Sequence, residues 1–472
     1  MGVTADTLSS ISVAALVTAM VTNESQNSEY VLVVGLGVTG LSVVRFLHKQ
    51  KKNIVVVDSR NNPPGLKQLK EEFADVSFYS GEFDEALFMG AQKIIVSPGV
   101  ALKEPVIQHA IAQGVNVVGD IELFAEQNNT PVIAVTGSNG KSTVISLLGE
   151  MAKTANVNAQ VGGNIGVPAL EIINENIELY ILELSSFQLE SLQSLQPVAA
   201  AVLNVSPDHM DRYESFEDYI ETKKHIYKNC KVAVVNRDDK KVNAMQTGQN
   251  LVSGFTLNSP AQGEFGSCEF GLREFNNEIF LCKGEKKLIA QNDLKISGAH
   301  NVANVLAALA LGEAANLPMS DMLKTLKTFN GLKHRTQWVA EKNNVTWVND
   351  SKGTNVGASL AAIEGLQVEN KLLLIAGGIA KDADFSPLKN TICEKVRAVI
   401  LMGKDAPQIE KILQSCVPVF YAKDMQDAVN IAADLSHPKD TVLLSPACAS
   451  FDMFNSYEHR GELFIDAVER LL

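Results

Sequence analysis

The chain has 472 residues, of which 46% are hydrophobic and 20% charged, and its formal net charge is −13. This length predicts about three domains, each large enough to bury its own core. The acidic balance and the lack of a long basic run argue against a nucleic-acid partner. The six cysteines form no CxxC pair, which favours reduced thiols in a cytoplasm over a disulfide framework.

Residues 8–22 are the only stretch whose sequence raises the question of a membrane segment. The stretch is shorter than the roughly 20 apolar residues that a spanning helix needs, and it contains several hydroxyl side chains. No Lys or Arg precedes it, whereas a signal peptide begins with a basic segment. We therefore expect a short N-terminal helix, no membrane partner and a cytoplasmic protein.

The first predicted unit begins with a dinucleotide-type pattern. A strand at residues 30–34 is followed by Gly35-x-Gly37-x-x-Gly40, a helix, and a second strand at residues 54–57 that ends at Asp58. A further strand at residues 93–96 ends in Ser97-Pro98-Gly99. Open α/β sheets bind ligands at the carboxyl ends of their strands, so this edge is a candidate site.

The most informative stretch lies in a second α/β unit that starts near Gly119. An apolar strand, residues 132–135, leads into TGSNGKST (136–143) and then into a helical pattern. Such a turn directs backbone N–H groups and a helix N-terminus at a phosphate, and Lys141 with Ser142 or Thr143 adds a cation and a hydroxyl for Mg²⁺. The loop is shorter than the standard P-loop, since Val135 stands where that pattern has glycine. The alternative is an ordinary strand–helix turn whose glycines serve geometry alone.

Two strand ends in the same unit carry candidate metal ligands. Glu183 ends the apolar strand predicted at residues 179–184, where a carboxylate beside a phosphate loop suits Mg²⁺, although a surface carboxylate is the alternative. After the strand predicted at residues 199–204, the segment DHMDRY places His209 among carboxylates. Oxygen partners fit Mg²⁺ better than zinc, but a lone histidine is more often structural.

The remainder of the chain predicts a third α/β unit. Residues 251–297 are β-like but irregular, and a helix begins at His300. The alternation of strands and helices starts again near Gly331, with strands at residues 346–348, 371–375, 398–402 and 441–444. We expect three doubly wound α/β domains, at residues 1–119, 120–331 and 332–472. Polar motifs follow the predicted strand ends, and their cations imply an anionic substrate, although each motif alone could be a solvated loop.

These motifs, in this order, resemble those of the Mur ligase family, from about residue 30 to the C-terminus. The matching segments are TGSNGKST, GGNIG (162–166), LELSSFQLE (182–190), DHMDRY (208–213), HNVAN (300–304), HR (334–335), NDSKGTN (349–355) and SPACASFD (445–452). The resemblance implies a Rossmann-like N-terminal domain, a central P-loop-type ATPase domain and a Rossmann-like C-terminal domain. It also implies that the glycine-rich turn of the first domain holds a uridine diphosphate rather than NAD.

The residues of the motifs LELSSFQLE, DHMDRY and SPACAS are similar to those in the D-glutamate-adding members of the family. Their reaction is ATP-dependent amide formation between D-glutamate and UDP-N-acetylmuramoyl-L-alanine, through an acyl phosphate, in the cytoplasmic stage of peptidoglycan synthesis. The resemblance thus implies the partners ATP, D-glutamate and the UDP-substrate, and two Mg²⁺ ions. We expect a monomer.

The resemblance also assigns roles to individual residues. The implied catalytic residues are Lys141, Glu183, His209 and Lys223. ATP would be held by Gly137, Asn139, Gly140, Lys141, Ser142, Thr143, Asn301, Asn304, Arg335 and Asp350. The metal ligands would be Ser142, Thr143, Glu183, His209 and Lys223. The substrate-binding residues would be Val38, Thr39, Asp58, Ser59, Arg60, Ser97, Gly99, Asn164, His209, Lys352, Thr354, Lys381, Ser450, Phe451 and Tyr457.

Lys223 shows where sequence context and resemblance disagree. It lies in DYIETKKHIYKN, a charged helical stretch in which a solvated lysine is the natural interpretation. The family spacing Y-x-x-x-K instead matches a lysine that carries CO₂ as a carbamate. A carbamate is a hard oxygen ligand suited to Mg²⁺, and burial would favour the neutral amine that adds CO₂.

Two other classes of protein and one neighbouring ligase are weighed against this interpretation. An NAD-dependent oxidoreductase would use the N-terminal glycine pattern but leaves TGSNGKST unexplained. A nucleotide-dependent switch or transporter ATPase subunit usually carries the full P-loop and needs no amino-acid pocket. A folylpolyglutamate synthetase shares the ATP loop but not a first domain of the UDP-binding type.

Overall fold

The structure is a computed structural model that describes residues 29–245, 251–260, 269–296, 298–366, 368–413 and 416–471. The helix predicted at residues 8–22 lies outside these residues. Among the residues that the structure describes, no helix combines the length and the apolar character needed to cross a bilayer.

The chain forms two compact units. Of the described residues, those up to Asn129 form the N-terminal unit with Gly166–Asn174 and Phe187–Leu195. The main unit consists of Thr130–Ile165, Glu175–Ser186 and the described residues from Gln196 onward. Three β-sheets account for the strands described: one lies in the N-terminal unit and two in the main unit.

The strands, numbered in chain order, are β1 (Val31–Val34), β2 (Ile54–Asp58), β3 (Ser77–Ser80), β4 (Lys93–Val96), β5 (Asn116–Val118), β6 (Val132–Thr136), β7 (Ala159–Gly163), β8 (Leu179–Glu183), β9 (Ala199–Val202), β10 (Val232–Asn236), β11 (Leu251–Phe255), β12 (Phe270–Phe275), β13 (Glu278–Lys283), β14 (Lys286–Ala290), β15 (Gln337–Lys342), β16 (Val345–Asn349), β17 (Leu372–Ala376), β18 (Val396–Leu401), β19 (Val419–Tyr421) and β20 (Thr441–Leu444).

The α-helices are α1 (Val38–Lys49), α2 (Leu66–Glu72), α3 (Glu85–Met89), α4 (Pro105–Ala112), α5 (Asp120–Gln127), α6 (Lys141–Thr154), α7 (Ser186–Glu190), α8 (Phe216–Lys224), α9 (Lys240–Ala244), α10 (Ala299–Ala314), α11 (Met319–Leu326), α12 (Val356–Gly365), α13 (Leu388–Lys395), α14 (Ala406–Leu413), α15 (Met425–Leu435) and α16 (Tyr457–Glu469). Short 3₁₀ turns lie at Ala169–Glu171, His225–Tyr227 and Gln291–Asp293.

The sheets are mainly parallel, as alternating strands and helices require. The N-terminal sheet has the order β3-β2-β1-β4-β5, and all its pairs are parallel. The central sheet has the order β14-β13-β12-β11-β10-β9-β6-β8-β7, and the third has β15-β16-β20-β17-β18-β19. This architecture confirms the predicted fold class.

The irregular β-like stretch from residue 251 forms the end of the central sheet. β11 continues the parallel order, whereas β12, β13 and β14 pair antiparallel through tight turns. The predicted strands are correct to within two residues at each end. Two strands differ by two residues at one end. β18 begins at Val396 rather than at residue 398. β9 ends at Val202 because Asn204 turns out of the ladder and its side chain hydrogen-bonds the backbone of Asn139.

The strand order in the central sheet positions the phosphate loop. β6 lies between β9 and β8, and these three strands are buried along their whole length. Helix α6 packs on them in the main hydrophobic core through Val144, Leu148 and Met151. Because parallel strands end at one edge, the segments after β6, β8 and β9 meet there.

One cysteine pair corrects the expectation of reduced thiols throughout. Cys393 in α13 and Cys416 after α14 are joined in a disulfide, with Cα atoms 5.3 Å apart. Their sequence separation of 23 residues gave no CxxC signal, because only the packing of α13 and α14 brings them together. Cys230, Cys282 and Cys448 are buried.

The start of α5 contains a buried acid, Asp120. Gln188 Nε2 donates to its Oδ2 at 3.0 Å, while its Oδ1 has no hydrogen-bond partner within the described part of the chain. Burial raises the pKa of Asp120 to about 6, above the value of roughly 3.9 in an unfolded chain. The folded state therefore holds this proton more tightly, and the buried charge lowers stability as the pH rises from about 4 to about 6.

We expect Asp120→Asn to raise the thermal midpoint at pH 8, because the amide removes the buried charge. Below about pH 4 the gain should vanish, because Asp120 is then protonated in both the folded and the unfolded protein. Calorimetry across this range measures the effect, with Asp84→Asn, at the half-buried N-cap of α3, as the control. A loss of stability at pH 8, or a gain independent of pH, would contradict the assignment.

Candidate functional site

The phosphate loop joins β6 to α6. Gly140 has φ +86° and caps the helix, and a Cβ there would overlap Oδ1 of Asn304. Glycine is therefore required at this position for both conformation and space. The loop thus presents the N-terminus of α6, a helix of 14 residues, with the geometry that binds phosphate.

The segment after β9 braces this loop. The backbone N–H of Asn139 donates to Asn204 Oδ1 at 2.8 Å, and Asn204 Nδ2 donates back to the Asn139 carbonyl at 3.0 Å. Ser138 Oγ donates to the Ser206 carbonyl at 2.9 Å and accepts from the Ser206 N–H at 3.0 Å. The loop is therefore held by side chains that the sequence does not mark as a motif.

The loop lysine lies over its own turn. Lys141 Nζ donates to the carbonyls of Gly137 at 2.7 Å and Ser138 at 3.2 Å. Burial lowers the pKa of Lys141, with Arg335 acting in the same direction and Glu183 and Asp208 against it. A bound anion near Nζ would favour the charged form of this amine.

Glu183 accepts hydrogen bonds from two segments, and Arg335 joins this network through Ser142. Ser142 Oγ donates to its Oε2 at 2.7 Å, and Asn164 Nδ2 donates to its Oε1 at 3.0 Å. Arg335 Nη2 donates to Ser142 Oγ at 2.8 Å, so a residue from just before β15 reaches the phosphate loop. The resemblance places Asn164 near a substrate, and its amide also donates to Glu183.

Lys223 is buried rather than solvated, with a side chain 2% exposed. Its Nζ donates to the Gly137 carbonyl at 3.2 Å and lies 4.5 Å from the ring centroid of Tyr219. Burial and the nearby Lys141 lower the pKa of Lys223 well below its usual value. The interpretation from charge pattern was wrong about exposure, because the polar face of α8 does not include this residue.

His209 lies close to the same edge. It has φ +58°, and its Nε2 lies 3.8 Å from Asp208 Oδ2. Burial lowers the pKa of His209, Asp208 opposes that change, and Lys381 adds to it. The neutral imidazole is the form that can coordinate a metal.

A cavity of about 330 Å³ adjoins the loop. Its lining combines the glycine loop, α10 and the start of α12, and includes Asn139, Gly140, Thr143, His300, Asn301, Asn304, Arg335, Asp350 and Lys352. All the ATP-contact residues named from the resemblance, except Gly137, Lys141 and Ser142, therefore line one cavity, and those three lie in the adjoining loop.

Asp350 shapes one wall of this cavity. It accepts from Ser445 Oγ at 2.7 Å and from the Thr336 N–H at 3.0 Å. Burial raises the pKa of Asp350 to about 6, although these hydrogen bonds and Arg335 oppose the shift.

Two of the residues expected to hold an amino acid, Lys352 and Tyr457, lie in contact. Lys352 Nζ lies 3.8 Å from the ring centroid of Tyr457, and burial, with Arg335, lowers the pKa of Lys352 to about 8. Phe451 is exposed and Ser450 is buried. Arg460, which the sequence did not reveal, ties this region together because it donates to Ser351 Oγ and to the carbonyls of Ser351 and Cys448.

The candidate UDP site lies in the N-terminal unit. Asp58, buried at the end of β2, accepts from the Leu36 N–H at 2.7 Å and from the guanidinium and N–H of Arg60. Burial acts to raise the pKa of Asp58, but these hydrogen bonds outweigh it and the pKa is lowered. Asp58 thus orients Arg60. Arg60, Ser59 and Val38 are exposed at the surface.

The donor atoms near the loop suit a hard cation. Ser142 Oγ and both oxygens of Glu183 converge at the start of α6, and oxygen is the ligand type that Mg²⁺ prefers. Over the described ranges, no group of three His, Cys, Asp or Glu side chains forms a protein-only metal cage.

The fold and the site define a nucleotide-binding α/β protein whose phosphate loop is reached by a cation from a neighbouring sheet. Three family profiles match the chain in order: Mur ligase MurD-like, N-terminal domain at residues 29–119; Mur ligase middle domain at residues 135–312; and Mur ligase, glutamate ligase domain at residues 334–448. The chain belongs to the Mur ligase family, and the three-domain architecture expected from the resemblance is confirmed.

Curated relatives match nearly the whole chain. A Nitrosococcus oceani protein named UDP-N-acetylmuramoylalanine–D-glutamate ligase is 50% identical over 442 residues, covering 93% of this chain and 96% of that protein. The Pseudomonas putida protein of the same name is 46% identical over 443 residues, covering 93% and 97%. The one from Legionella pneumophila strain Paris is 44% identical over 451 residues, covering 94% and 100%.

Solved structures share the fold at low identity. A pseudomurein peptide ligase type C from Methanothermus fervidus has a TM-score of 0.60 at 16% identity and covers 94% of this chain and 99% of its own. MurF from Acinetobacter baumannii has a TM-score of 0.57 at 19% identity and covers 81% and 86%. These likenesses concern the arrangement of the sheets and not the substrates.

We expect Glu183→Gln to weaken Mg²⁺-dependent nucleotide binding by about tenfold or more, because an amide is a poorer ligand than a carboxylate. Nucleotide binding without metal should stay equal or tighten, since one negative charge beside the phosphates is removed. Titration with ADP, with and without Mg²⁺, measures both effects. Glu150→Gln on the exposed face of α6 is the control, and parallel changes with and without Mg²⁺ would exclude a metal role.

Proposed function

We propose that this protein is an ATP-dependent, ADP-forming ligase that joins D-glutamate to UDP-N-acetylmuramoyl-L-alanine in peptidoglycan synthesis. The observation that carries the proposal is the match to ligases of that name at 44–50% identity over 93–94% of the chain. The geometry supports it, because the phosphate loop and Lys352 line one cavity region in the main unit.

The chemistry follows from the poor reactivity of a carboxylate. The carboxylate oxygen of the UDP-substrate attacks the γ-phosphorus of ATP, the bond to the β-phosphate oxygen breaks, and ADP leaves. The amine of D-glutamate then attacks the acyl phosphate carbon and loses a proton, and inorganic phosphate leaves. Lys141 and Arg335 lie where they would offset the negative charge of the transferring phosphoryl group.

Two Mg²⁺ ions would supply further charge neutralisation and would orient the phosphates. Ser142, Thr143 and Glu183 would hold one ion. His209 and a carbamate on Lys223 would help to hold the other. The carbamate forms when the neutral amine of Lys223 adds to CO₂ and releases a proton, and the lowered pKa of this lysine supports that step.

Several further assignments belong to this proposal. Asp58, Ser59, Arg60, Val38, Thr39, Ser97 and Gly99 would hold the uridine diphosphate portion, with Asn164 and His209 also contacting the UDP-substrate. Lys352, Thr354, Lys381, Ser450, Phe451 and Tyr457 would hold D-glutamate. We also propose domain boundaries at 119/120 and 331/332, a monomer and a cytoplasmic location.

The direct test is phosphate release from ATP with UDP-N-acetylmuramoyl-L-alanine and a panel of amino acids. Release should depend on both substrates and should be fastest with D-glutamate, and Lys141→Ala should abolish it while UDP-substrate binding persists. Release that needs no amino acid would instead favour a nucleotide-dependent switch. Release that is fastest with another amino acid would overturn the substrate assignment.

We expect Lys352→Ala to raise the KM for D-glutamate more than the KM for ATP. A hydrogen bond to a charged group is worth about 1.5–3 kcal/mol, which corresponds to roughly 10- to 150-fold. The wild-type KM should also rise above pH 8, because Lys352, with a pKa of about 8, then loses its proton. Lys389→Ala, an exposed lysine of α13, is the control, and an unchanged KM in Lys352→Ala would refute the placement.

We expect Lys223→Ala to be nearly inactive, with partial recovery on adding a short carboxylic acid that replaces the carbamate oxygens. The wild type should show a carbamate signal in ¹³C NMR with labelled bicarbonate, and the variant should not. Lys224→Ala, the neighbouring lysine paired with Glu221, is the control. Near-normal turnover in Lys223→Ala together with no wild-type signal would refute the carbamate.

A further inference from the structure

The turn that carries Lys352 also carries a residue that reaches the phosphate loop. In this turn the Gly353 N–H donates to the Asp350 carbonyl at 2.8 Å, and the Thr354 N–H donates to the Lys352 carbonyl at 2.8 Å. Asn355 follows at once as the N-cap of α12, and its Oδ1 accepts from the Ala358 N–H at 2.8 Å.

The amide nitrogen of Asn355 points the other way. Nδ2 lies 3.3 Å from Asn139 Oδ1 in the phosphate loop and 3.3 Å from Asp208 Oδ2 after β9, and it donates to both. Asn139 is itself fixed by Asn204 on its backbone. One side chain therefore links the start of α12 to two segments of the central sheet.

Capping alone does not account for this choice of residue. Asp, Ser and Thr cap a helix about as well as Asn, but none of them has an amide donor. The bond to Asp208 is charge-assisted, which makes it stronger than a bond between neutral groups. The amide is therefore needed for the second set of contacts and not for the cap.

The backbone of α12 also approaches this edge closely. A Cβ added at Gly357 would lie 3.0 Å from Ser206 Oγ and 3.5 Å from Asn139 Nδ2. Glycine thus allows the first turn of α12 to pack against the braces of the phosphate loop. A larger residue would act as a wedge at the same contact.

We propose that Asn355 is a positioning residue that couples the D-glutamate turn to the phosphate loop. This inference rests on the proposed function, since it assumes that Lys352 meets D-glutamate. Asn355 touches neither reacting group. It fixes the position of the turn at residues 350–355 relative to the phosphate loop, so that the amine of D-glutamate meets the phosphorylated carboxylate of the UDP-substrate.

The test compares two variants that keep the cap and lose the amide, Asn355→Ser and Asn355→Asp. We expect kcat/KM for D-glutamate to fall by about tenfold in Asn355→Ser, the size of one hydrogen bond to a charged group. Asn355→Asp should fall further, because its carboxylate would face that of Asp208. Binding of ADP without D-glutamate should be unchanged in Asn355→Ser, because Asn204 still holds the loop.

Two more variants separate positioning from folding. In the double variant N355D/D208N an amide again faces a carboxylate, so its kcat/KM should exceed that expected from the two single changes added together. Gly357→Ala should lower kcat/KM for D-glutamate, because its Cβ would press against Ser206 and move the start of α12 away from the phosphate loop. Asp424→Ala removes the cap of α15 and should lower the thermal midpoint without changing the KM for D-glutamate.

The outcomes distinguish this inference from the proposed function. If the wild type shows no phosphate release that depends on D-glutamate, the proposed function fails. If the wild type is active but Asn355→Ser and Asn355→Asp match it in kcat/KM, the coupling role is overturned. Equal losses in ADP binding and D-glutamate kinetics would also overturn it, because they would indicate general loosening.

Discussion

The burial of basic side chains at the carboxyl ends of β6, β8 and β9 is the constraint on which the site depends. Burial is the main cause that lowers the pKa values of Lys141, Lys223 and Arg335; Arg335 adds to the shift of Lys141, and Lys141 adds to that of Lys223. Glu183 opposes the shift at all three groups. When Lys141 and Arg335 carry their charges in so little water, they interact strongly with an incoming polyphosphate, because the local dielectric constant is low.

The strand order turns this electrostatic arrangement into a site. Because β6 lies between β9 and β8, the glycine loop after β6 has Glu183 on one side and the braces Asn204 and Ser206 on the other. Lys223 reaches the Gly137 carbonyl from α8, which follows β9 in the chain. No single segment contains the site, and the parallel sheet brings the segments together at one edge.

Much of this could be predicted from sequence, because the strands are short apolar runs and the motifs fall at their ends. The loop at residues 136–143 and Glu183 were found in this way. What failed depended on packing. The burial of Lys223 could not be predicted from a charged helical sequence, because Lys223 and Tyr219 face inward while most of the residues around them in α8 are polar. Arg460 gave no signal, because a cation buried by hydrogen bonds to carbonyls looks like any surface arginine in sequence.

The polar residues that connect segments were the hardest to anticipate for a related reason. Asn204 and Asn355 each use one end of a side-chain amide for their own segment and the other end for a partner far along the chain. The hydrogen bond within the residue's own segment is that of an ordinary turn or cap, so the sequence suggests only this local bond. The bond to a distant segment can be recognised only when the sheet order is known. An amide can make both bonds because it carries a donor and an acceptor on one rigid plane. This explains why asparagine recurs where the nucleotide loop and its neighbours must keep a fixed distance.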